Sequence, residues 1–140
     1  MSPPSDPALR SRIMAAVKSK HTAPEIAVRK IVHRLGYRFR LHVRGLPGTP
    51  DIVLPRLRAV INVHGCFWHA HSCRHGSIAP VSNVDYWRAK RARNAARDRS
   101  AVRRLRREGW RVLTIWDCQM RDADALVRRI SRFLAAADHL

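Results

Sequence analysis

The chain has 140 residues, with 28 lysines and arginines against 10 aspartates and glutamates, and a formal net charge of +18. That length suits a single domain, which we place over residues 1–140 with a flexible start at 1–7. No apolar run is long enough to cross a membrane, and the N-terminus lacks the pattern of a secretory signal, so we expect a cytoplasmic protein. The charge favours a polyanionic partner, above all nucleic acid, over the alternatives of a basic proteome or a scaffold role.

The first half of the chain predicts two helices and then three strands. A helix starts at Asp6–Pro7 and runs to Val17, and a second runs from Thr22 to Gly36. The period then changes to two over Tyr37–Val43, which predicts a half-buried strand with a basic outer face. A short strand follows at 51–54, and the apolar segment 59–63 reads as a central strand.

The second half begins with an irregular segment from His64 to Ser82, which is long enough to need an anchor or a function. A long helix follows over 84–107 and stops at Gly109. Trp110–Trp116 predicts a strand, and a last helix follows Asp122. This order predicts an α/β fold with a mixed central sheet flanked by helices.

The long helix is unusually basic. Between Arg88 and Arg107 it holds ten basic residues and one acid, Asp98. Like charges one turn apart repel each other, so the excess makes sense opposite phosphates, although an ordinary exposed face in an arginine-rich protein is the alternative.

Asp98 lies on the apolar stripe of this helix, where a carboxylate needs a partner, either an arginine or a metal. His71 and Cys73 in the irregular segment and Cys118 after the last strand offer nitrogen and sulfur ligands. Together with Asp98 they make four ligands, the number of a closed structural zinc site. The alternative is one histidine and two unrelated buried cysteines.

A second group of residues points to catalysis. Asp51 heads one strand, and the neighbouring strand ends in Asn62–His64, so these groups should lie close together. Metal-dependent nucleases use such a carboxylate to hold Mg²⁺ against the scissile phosphate, whereas the alternative is a carboxylate that caps the turn after Pro50. Glu25 fits the capping box of the second helix on the sequence alone.

Two histidines and two aromatic residues near the start of the irregular segment are also candidates for catalysis and DNA contact. His64 and His69 could pass protons near neutral pH, although a lone histidine is more often structural. Phe67 and Trp68 stand side by side in the irregular segment, and both cannot easily be buried. Exposed aromatic rings beside a basic surface indicate stacking on bases or wedging between them.

Six blocks of the sequence carry a resemblance that covers nearly the whole chain. They are Pro50–Asp51, His64–Cys73, Tyr86–Lys90, Asn94, Arg97–Arg99 and Gly109–Leu113. These blocks closely resemble the very-short-patch-repair DNA mismatch endonucleases. The resemblance implies a restriction-endonuclease-like core with a structural zinc, and an enzyme that nicks one strand of duplex DNA beside a T·G mismatch left by deamination of 5-methylcytosine.

The resemblance also implies the roles of individual residues. Mg²⁺ would bind Asp51 and the main-chain carbonyl of Val63, with Glu25 reaching a metal-bound water. His64 and His69 would lie at the scissile phosphate, and we favour His69 as the group that activates water. The implied structural zinc ligands are the four already considered: His71, Cys73, Asp98 and Cys118.

For DNA recognition, the resemblance implies an aromatic wedge of Phe67, Trp68 and Trp87. Residues near the recognised base pairs or the backbone would be Met14, Lys90 and Asn94. The implied partners are double-stranded DNA with a T·G mismatch and other repair proteins. We expect a monomer, because a one-strand cut needs no two-fold symmetry, in a bacterial cytoplasm and on the nucleoid when bound.

Two other functions compete with this interpretation. A sequence-specific nicking or restriction-type endonuclease of the same fold would use Asp51 and the histidines on fully paired DNA. A non-catalytic, zinc-stabilised DNA-binding protein would use the basic helix and the zinc, but it leaves Asp51, His64 and His69 without a purpose.

Overall fold

A computed structural model describes residues 22–66, 71, 73 and 83–138 of the chain. The helix predicted over Asp6–Val17 lies outside these residues. The described elements, in chain order, are α1 (Ala23–Arg34), β1 (Arg40–Leu41), β2 (Ile52–Leu54), a short 3₁₀ turn (Pro55–Leu57), β3 (Ala59–His64), α2 (Val84–Arg107), β4 (Arg111–Trp116), a second 3₁₀ turn (Asp117–Arg121) and α3 (Ala123–Asp138). None of the helices in this part of the chain is both long and apolar enough to span a membrane.

The four strands form one mixed sheet in the order β1-β2-β3-β4. β1, β2 and β3 are antiparallel neighbours, whereas β3 and β4 run parallel. β3 therefore lies inside the sheet, between β2 and β4, and its first four residues are buried, as its apolar sequence predicts. The mixed sheet flanked by helices confirms the predicted fold class.

The sheet is covered on both faces because successive side chains of a strand point to opposite sides. Ala59, Ile61 and Val63 of β3 point to one face, where they pack against α1 and α3 in a cluster that includes Val28 and Ile130. Val60 lies on the other face and packs with Leu105 of α2. Helices α1 and α3 therefore form one outer layer, and α2 forms the other.

The strand predicted over Tyr37–Val43 is much shorter in the structure, where only Arg40 and Leu41 pair with β2. The alternation correctly marked Tyr37, Phe39 and Leu41 as residues that pack on the core. The strand ends because His42 adopts a left-handed conformation, with φ +50°. A single residue in that region turns the chain out of the extended conformation.

The turn before β2 is held against α2 by a close contact. Gly48 has φ +74°, and a Cβ on it would lie 2.7 Å from the Cβ of Ala101. Only glycine allows both this backbone conformation and this approach. The turn therefore places Asp51, which follows it directly, at a fixed position beneath the helix layer.

Candidate active site and metal centre

Two carboxylates from different elements meet at one end of the sheet. Glu25 lies in the first turn of α1 and Asp51 precedes β2, and the His42 ring lies between them. His42 Nε2 is 2.7 Å from Glu25 Oε1 and 3.7 Å from Asp51 Oδ1. Arg29, one turn further along α1, places Nη2 3.0 Å from Glu25 Oε2. These groups could hold a metal ion, because one ligand atom from each of Glu25, His42 and Asp51 lies within 4.8 Å of the others.

Glu25 has a different role from the one that the capping-box pattern predicts. Thr22 does cap α1, since its Oγ1 accepts the Glu25 N–H at 3.4 Å. The Glu25 carboxylate, however, is only 3% exposed and contacts His42 and Arg29 in the cluster. The Glu25 carboxylate is therefore part of the side-chain cluster with His42 and Arg29, and capping of α1 does not account for its position.

The environment of Asp51 disfavours its charged form. Burial raises the pKa of Asp51 to about 7, and the neighbouring Glu25 carboxyl adds to this, whereas the Val63 N–H and the Arg29 guanidinium oppose it. The Val63 N–H donates to Asp51 Oδ2 at 2.7 Å, which joins Asp51 to the end of β3 as the sequence predicted. A buried and a partly buried carboxylate side by side are a donor set suited to a hard divalent cation, which would remove the penalty on their charge.

The raised pKa of Asp51 predicts how stability depends on pH without added divalent metal. Between its ordinary value of 3.8 and about 7, the folded chain binds more protons than the unfolded chain. The free energy of unfolding should therefore fall as pH rises through this window, by up to roughly 4 kcal/mol. Asp51→Asn should flatten the fall when denaturant unfolding is measured from pH 4 to 8. Asp124→Asn, an exposed acid on α3, is the matched control, and an equally steep fall in Asp51→Asn would contradict the assignment.

His64, the last residue of β3, pairs with the acid of the basic helix. His64 Nδ1 lies 4.0 Å from Asp98 Oδ2, across the gap between β3 and α2. The His64 ring also contacts Trp116 edge-on, with centroids 5.3 Å apart. The inward carboxylate of Asp98 therefore has a histidine as its neighbour.

The predicted zinc ligands are only partly brought together. His71, Cys73 and Cys118 lie in one cluster, but its fourth member is Cys66, and one ligand atom from each of the four lies within 4.8 Å of the others. Asp98, expected as the fourth ligand, is not in the cluster. A local contact joins Cys66 to this cluster: its carbonyl accepts the His71 N–H at 3.0 Å.

The thiol cluster suits a soft metal. Cys118 Sγ is 3.7 Å from His71 Nδ1, and the Cys118 N–H donates to Cys66 Sγ at 3.3 Å. Burial raises the pKa of the Cys66 thiol to about 12, and the adjoining Cys73 and Cys118 thiols add to it. Three sulfurs and one imidazole nitrogen are a ligand set that structural zinc sites use. The cluster could therefore hold zinc between the end of β3 and the segment after β4.

A cavity of about 490 Å³ opens between α2 and the sheet, and His71 of the thiol cluster is part of its lining. Its lining includes His64, Asp98 and three arginines of the basic helix, which are Arg99, Arg103 and Arg106. The arginines follow each other at four and three residues, so they lie along one side of the helix. This row of guanidinium groups gives the cavity a positive rim.

The residues predicted for DNA recognition are only partly in a position to contact it. Trp87 is buried, with 6% exposed, whereas its neighbour Tyr86 is 47% exposed. Lys90 lies over both rings, with Nζ 5.9 Å from the Tyr86 centroid and 5.5 Å from the Trp87 centroid. Asn94 is buried, and its Oδ1 accepts from Arg97 Nη2 at 2.8 Å. Trp87 and Asn94 are therefore mostly covered in the chain alone, and their contacts with DNA stay predictions; Met14, Phe67, Trp68 and His69 lie outside the described residues.

Sequence reasoning missed two members of these centres, His42 and Cys66. For His42 a signal exists: the register that pairs Leu41 with Ile52 puts residue 42 opposite Asp51. For Cys66 the signal is its place in a Cys-x₄-His-x-Cys segment, which gathers three ligands from one short stretch.

The fold is that of an endonuclease catalytic domain. The catalytic domain of the homing endonuclease I-Bth0305I matches it with a TM-score of 0.56 and 24% sequence identity, over 84% of this chain and 98% of that one.

The family follows from the sequence comparisons. The family model described as "DNA mismatch endonuclease Vsr" matches residues 4–75. A type II nicking enzyme, V.XorIIP of Xanthomonas oryzae pv. oryzae, is 51% identical over 91% of this chain and 93% of that protein. The DNA mismatch endonuclease Vsr of Escherichia coli is 39% identical over 86% of this chain and 77% of that protein. The chain therefore belongs to the Vsr family of DNA mismatch endonucleases, and it is a DNA endonuclease.

Proposed function

We propose that this protein nicks one strand of duplex DNA beside a T·G mismatch, by Mg²⁺-dependent hydrolysis of a phosphodiester bond. The observation that carries the proposal is the pair of carboxylates formed by the buried Glu25 and the partly buried Asp51, placed near the end of β3 in a chain of net charge +18. Without a bound cation such a pair would repel the phosphates that the rest of the chain attracts. The mismatch is supported by the relative from Escherichia coli that is named a mismatch endonuclease.

Mg²⁺ would be held by Asp51 and by the main-chain carbonyl of Val63, with Glu25 beside them. The N–H and C=O of a strand residue leave the strand on the same edge, and the Val63 N–H already donates to Asp51. When bound, the ion supplies positive charge that stabilises the charge developing on the phosphate and its leaving oxygen. Asp51 fixes the position of that charge, and Glu25 orients the attacking water.

Two histidines would handle protons at the scissile phosphate. Asp98 Oδ2 lies 4.0 Å from His64 Nδ1, close enough to orient the imidazole ring. His64 would then hold a proton toward the phosphate, while His69 would activate the attacking water.

The cluster of Cys66, His71, Cys73 and Cys118 would bind a structural zinc ion. The Cys66 end of the cluster is two residues after His64, so a closed metal site would fix the histidine segment relative to β4. Phe67 and Trp68 follow directly and would wedge into the duplex at the mismatch, with Met14 at the recognised base pairs. The exposed Tyr86 and Lys90 would contact DNA from the start of α2.

The arginine row of the cavity would hold the DNA backbone, which predicts a change in salt dependence. Arg103→Gln with Arg106→Gln should lower the slope of log affinity against log salt by about 2, since each phosphate contact contributes about 0.9. Arg128→Gln with Arg132→Gln removes the same charge from the exposed face of α3 and is the control. Binding to a paired duplex, measured by fluorescence anisotropy at several salt concentrations, checks this. Equal slopes of log affinity against log salt in the two double variants would show that the arginine row of the cavity does not contact the DNA backbone.

A second function is favoured by one comparison. The relative that is 51% identical is named a type II nicking enzyme, and that name leaves the sequence context of the cut open. A nicking enzyme that acts on fully paired DNA would use the same carboxylates and histidines. A monomer suffices for either function because only one strand is cut, and repair proteins would act on the nick.

Labelled duplexes distinguish the two functions. We expect a single nick, in the strand carrying the T of a T·G mismatch, with Mg²⁺ and none with the ion chelated. The paired duplex of the same sequence is the control. A nick of equal rate in both duplexes would favour the second function, and no Mg²⁺-dependent cut in any duplex would contradict both.

A further inference from the structure

We infer that His42 is a positioning residue, which holds the Glu25 and Asp51 carboxylates in the arrangement that receives the divalent cation. Three contacts tie this one residue to both acids. Its Nε2 is 2.7 Å from Glu25 Oε1 and 3.7 Å from Asp51 Oδ1. Its main-chain N–H donates to the carbonyl oxygen of Asp51 at 3.1 Å. The inference rests on the proposed function and names a further residue of the same site.

The backbone conformation of His42 indicates that contacts of its side chain, and not the turn alone, favour histidine at this position. Its φ of +50° lies in the left-handed region, where glycine and asparagine are the ordinary residues. A turn alone would not require an imidazole there, and the side chain is only 7% exposed. Strained conformations of this kind persist where the surrounding contacts hold them in place.

The contact with Glu25 decides between two roles for the imidazole. When Glu25 is ionised, as it would be beside a bound cation, its carboxylate can only accept at this 2.7 Å contact, and the proton then lies on Nε2 of His42. A ring nitrogen that donates a proton to a carboxylate is not at the same time a ligand of a metal. His42 therefore acts through Glu25, which it holds at a fixed distance from Asp51. Without this contact, Glu25 would lose one of the groups that fix its carboxylate beside Asp51.

Two substitutions separate the contact from the turn. His42→Gln keeps an N–H donor at about the position of Nε2, whereas His42→Asn is too short to reach Glu25 but is at ease in the left-handed region. His33→Asn removes an exposed histidine at the end of α1 and is the control. The first readout is the binding of Mn²⁺ alone to the full chain, followed by electron paramagnetic resonance. The second is kcat and KM for nicking with Mg²⁺.

We expect His42→Asn to weaken Mn²⁺ binding about 10- to 100-fold, the usual effect of losing a partner of a metal-binding carboxylate. Its kcat should fall by a similar factor with the KM for DNA unchanged. His42→Gln should restore both to within about threefold of the parent, and His33→Asn should match the parent. Equal Mn²⁺ binding in parent and His42→Asn would overturn the inference, and so would a failure of His42→Gln to restore it.

Electron spin-echo modulation of the Mn²⁺-loaded parent tests the alternative of direct ligation. We expect the parent and His42→Asn to show the same nitrogen couplings to Mn²⁺. A coupling present in the parent and lost in His42→Asn would identify His42 as a ligand and overturn its positioning role. The Mn²⁺ measurements need no DNA. If the parent cuts no duplex, the proposed function fails while the binding data still decide the role of His42.

Discussion

Asp51→Asn should abolish nicking and leave DNA binding intact, which is the largest effect on activity that we expect from a single substitution. The exchange keeps the shape of the side chain and removes its charge. With Mg²⁺, the nicking rate should fall by several orders of magnitude, because a metal ion that stabilises the transition state contributes several kcal/mol. Without metal, the variant should bind mismatched duplex as tightly as the parent or more tightly, since a carboxylate that repels phosphate is gone.

Two comparisons make this result specific. His69→Ala should also cripple nicking but leave Mg²⁺ binding unchanged, which separates a proton carrier from a metal ligand. Asp124→Asn, on the exposed start of α3, should change neither binding nor nicking. If Asp51 only caps the turn after Pro50, Asp51→Asn would lose stability but keep its specific activity per folded molecule. Nicking at near-parental rate under saturating Mg²⁺ would remove Asp51 from the active site.

The fold could be predicted where periodicity and burial agree. The ends of α1 and α2 were placed by glycines, and Gly36 and Gly109 indeed adopt φ of +90° and +89° just beyond the two helices. The segment Tyr37–Val43 was the exception. Its alternation correctly gave the buried side, but alternation says nothing about a left-handed residue. The conformation of His42, which ends the strand, depends on contacts with Asp51 that come from another element.

The candidate site could be predicted where it depends on neighbouring strands. Asp51 and the end of β3 meet because the hairpin brings them together, and the Val63 N–H to Asp51 contact shows this directly. Glu25 could not be assigned from local pattern, since the capping box explains it without any partner. Its burial among His42 and Arg29 arises only when α1 packs beside the sheet.

Asp98 shows how a correct placement can lead to the wrong partner. The helical period correctly put this acid on the inner side of α2, where it lines the cavity. Its partner was then chosen by counting ligands, and a cluster of two cysteines and one histidine lacked a fourth. The structure supplies Cys66 for that position and gives Asp98 to His64. A ligand count cannot distinguish these outcomes, because the hydrogen bond that joins His71 to Cys66 is not visible in the sequence pattern.

The largest effect on stability should come from Cys66→Ala. If zinc is bound by Cys66, His71, Cys73 and Cys118, the protein should carry about one zinc per chain. Metal binding at a structural site is coupled to folding, so the loss of one thiolate should remove the metal and lower the Tm sharply. If Cys66 is only a buried side chain and binds no metal, Cys66→Ala should lower the free energy of unfolding by only about 1 kcal/mol, because little apolar surface is removed. Elemental analysis and thermal unfolding of the purified protein measure both quantities.

Asp98→Asn is the matched variant for this experiment because it tests the ligand that the sequence predicted. The Asp98 carboxylate faces His64 and not the thiol cluster, so Asp98→Asn should keep its zinc and most of its stability. It should instead lower nicking, since the exchange removes the negative charge that lies 4.0 Å from His64 Nδ1. Zinc lost from Asp98→Asn and kept by Cys66→Ala would reverse the assignment. A parent protein that is folded but carries less than about half an equivalent of zinc would remove the metal from the cluster altogether.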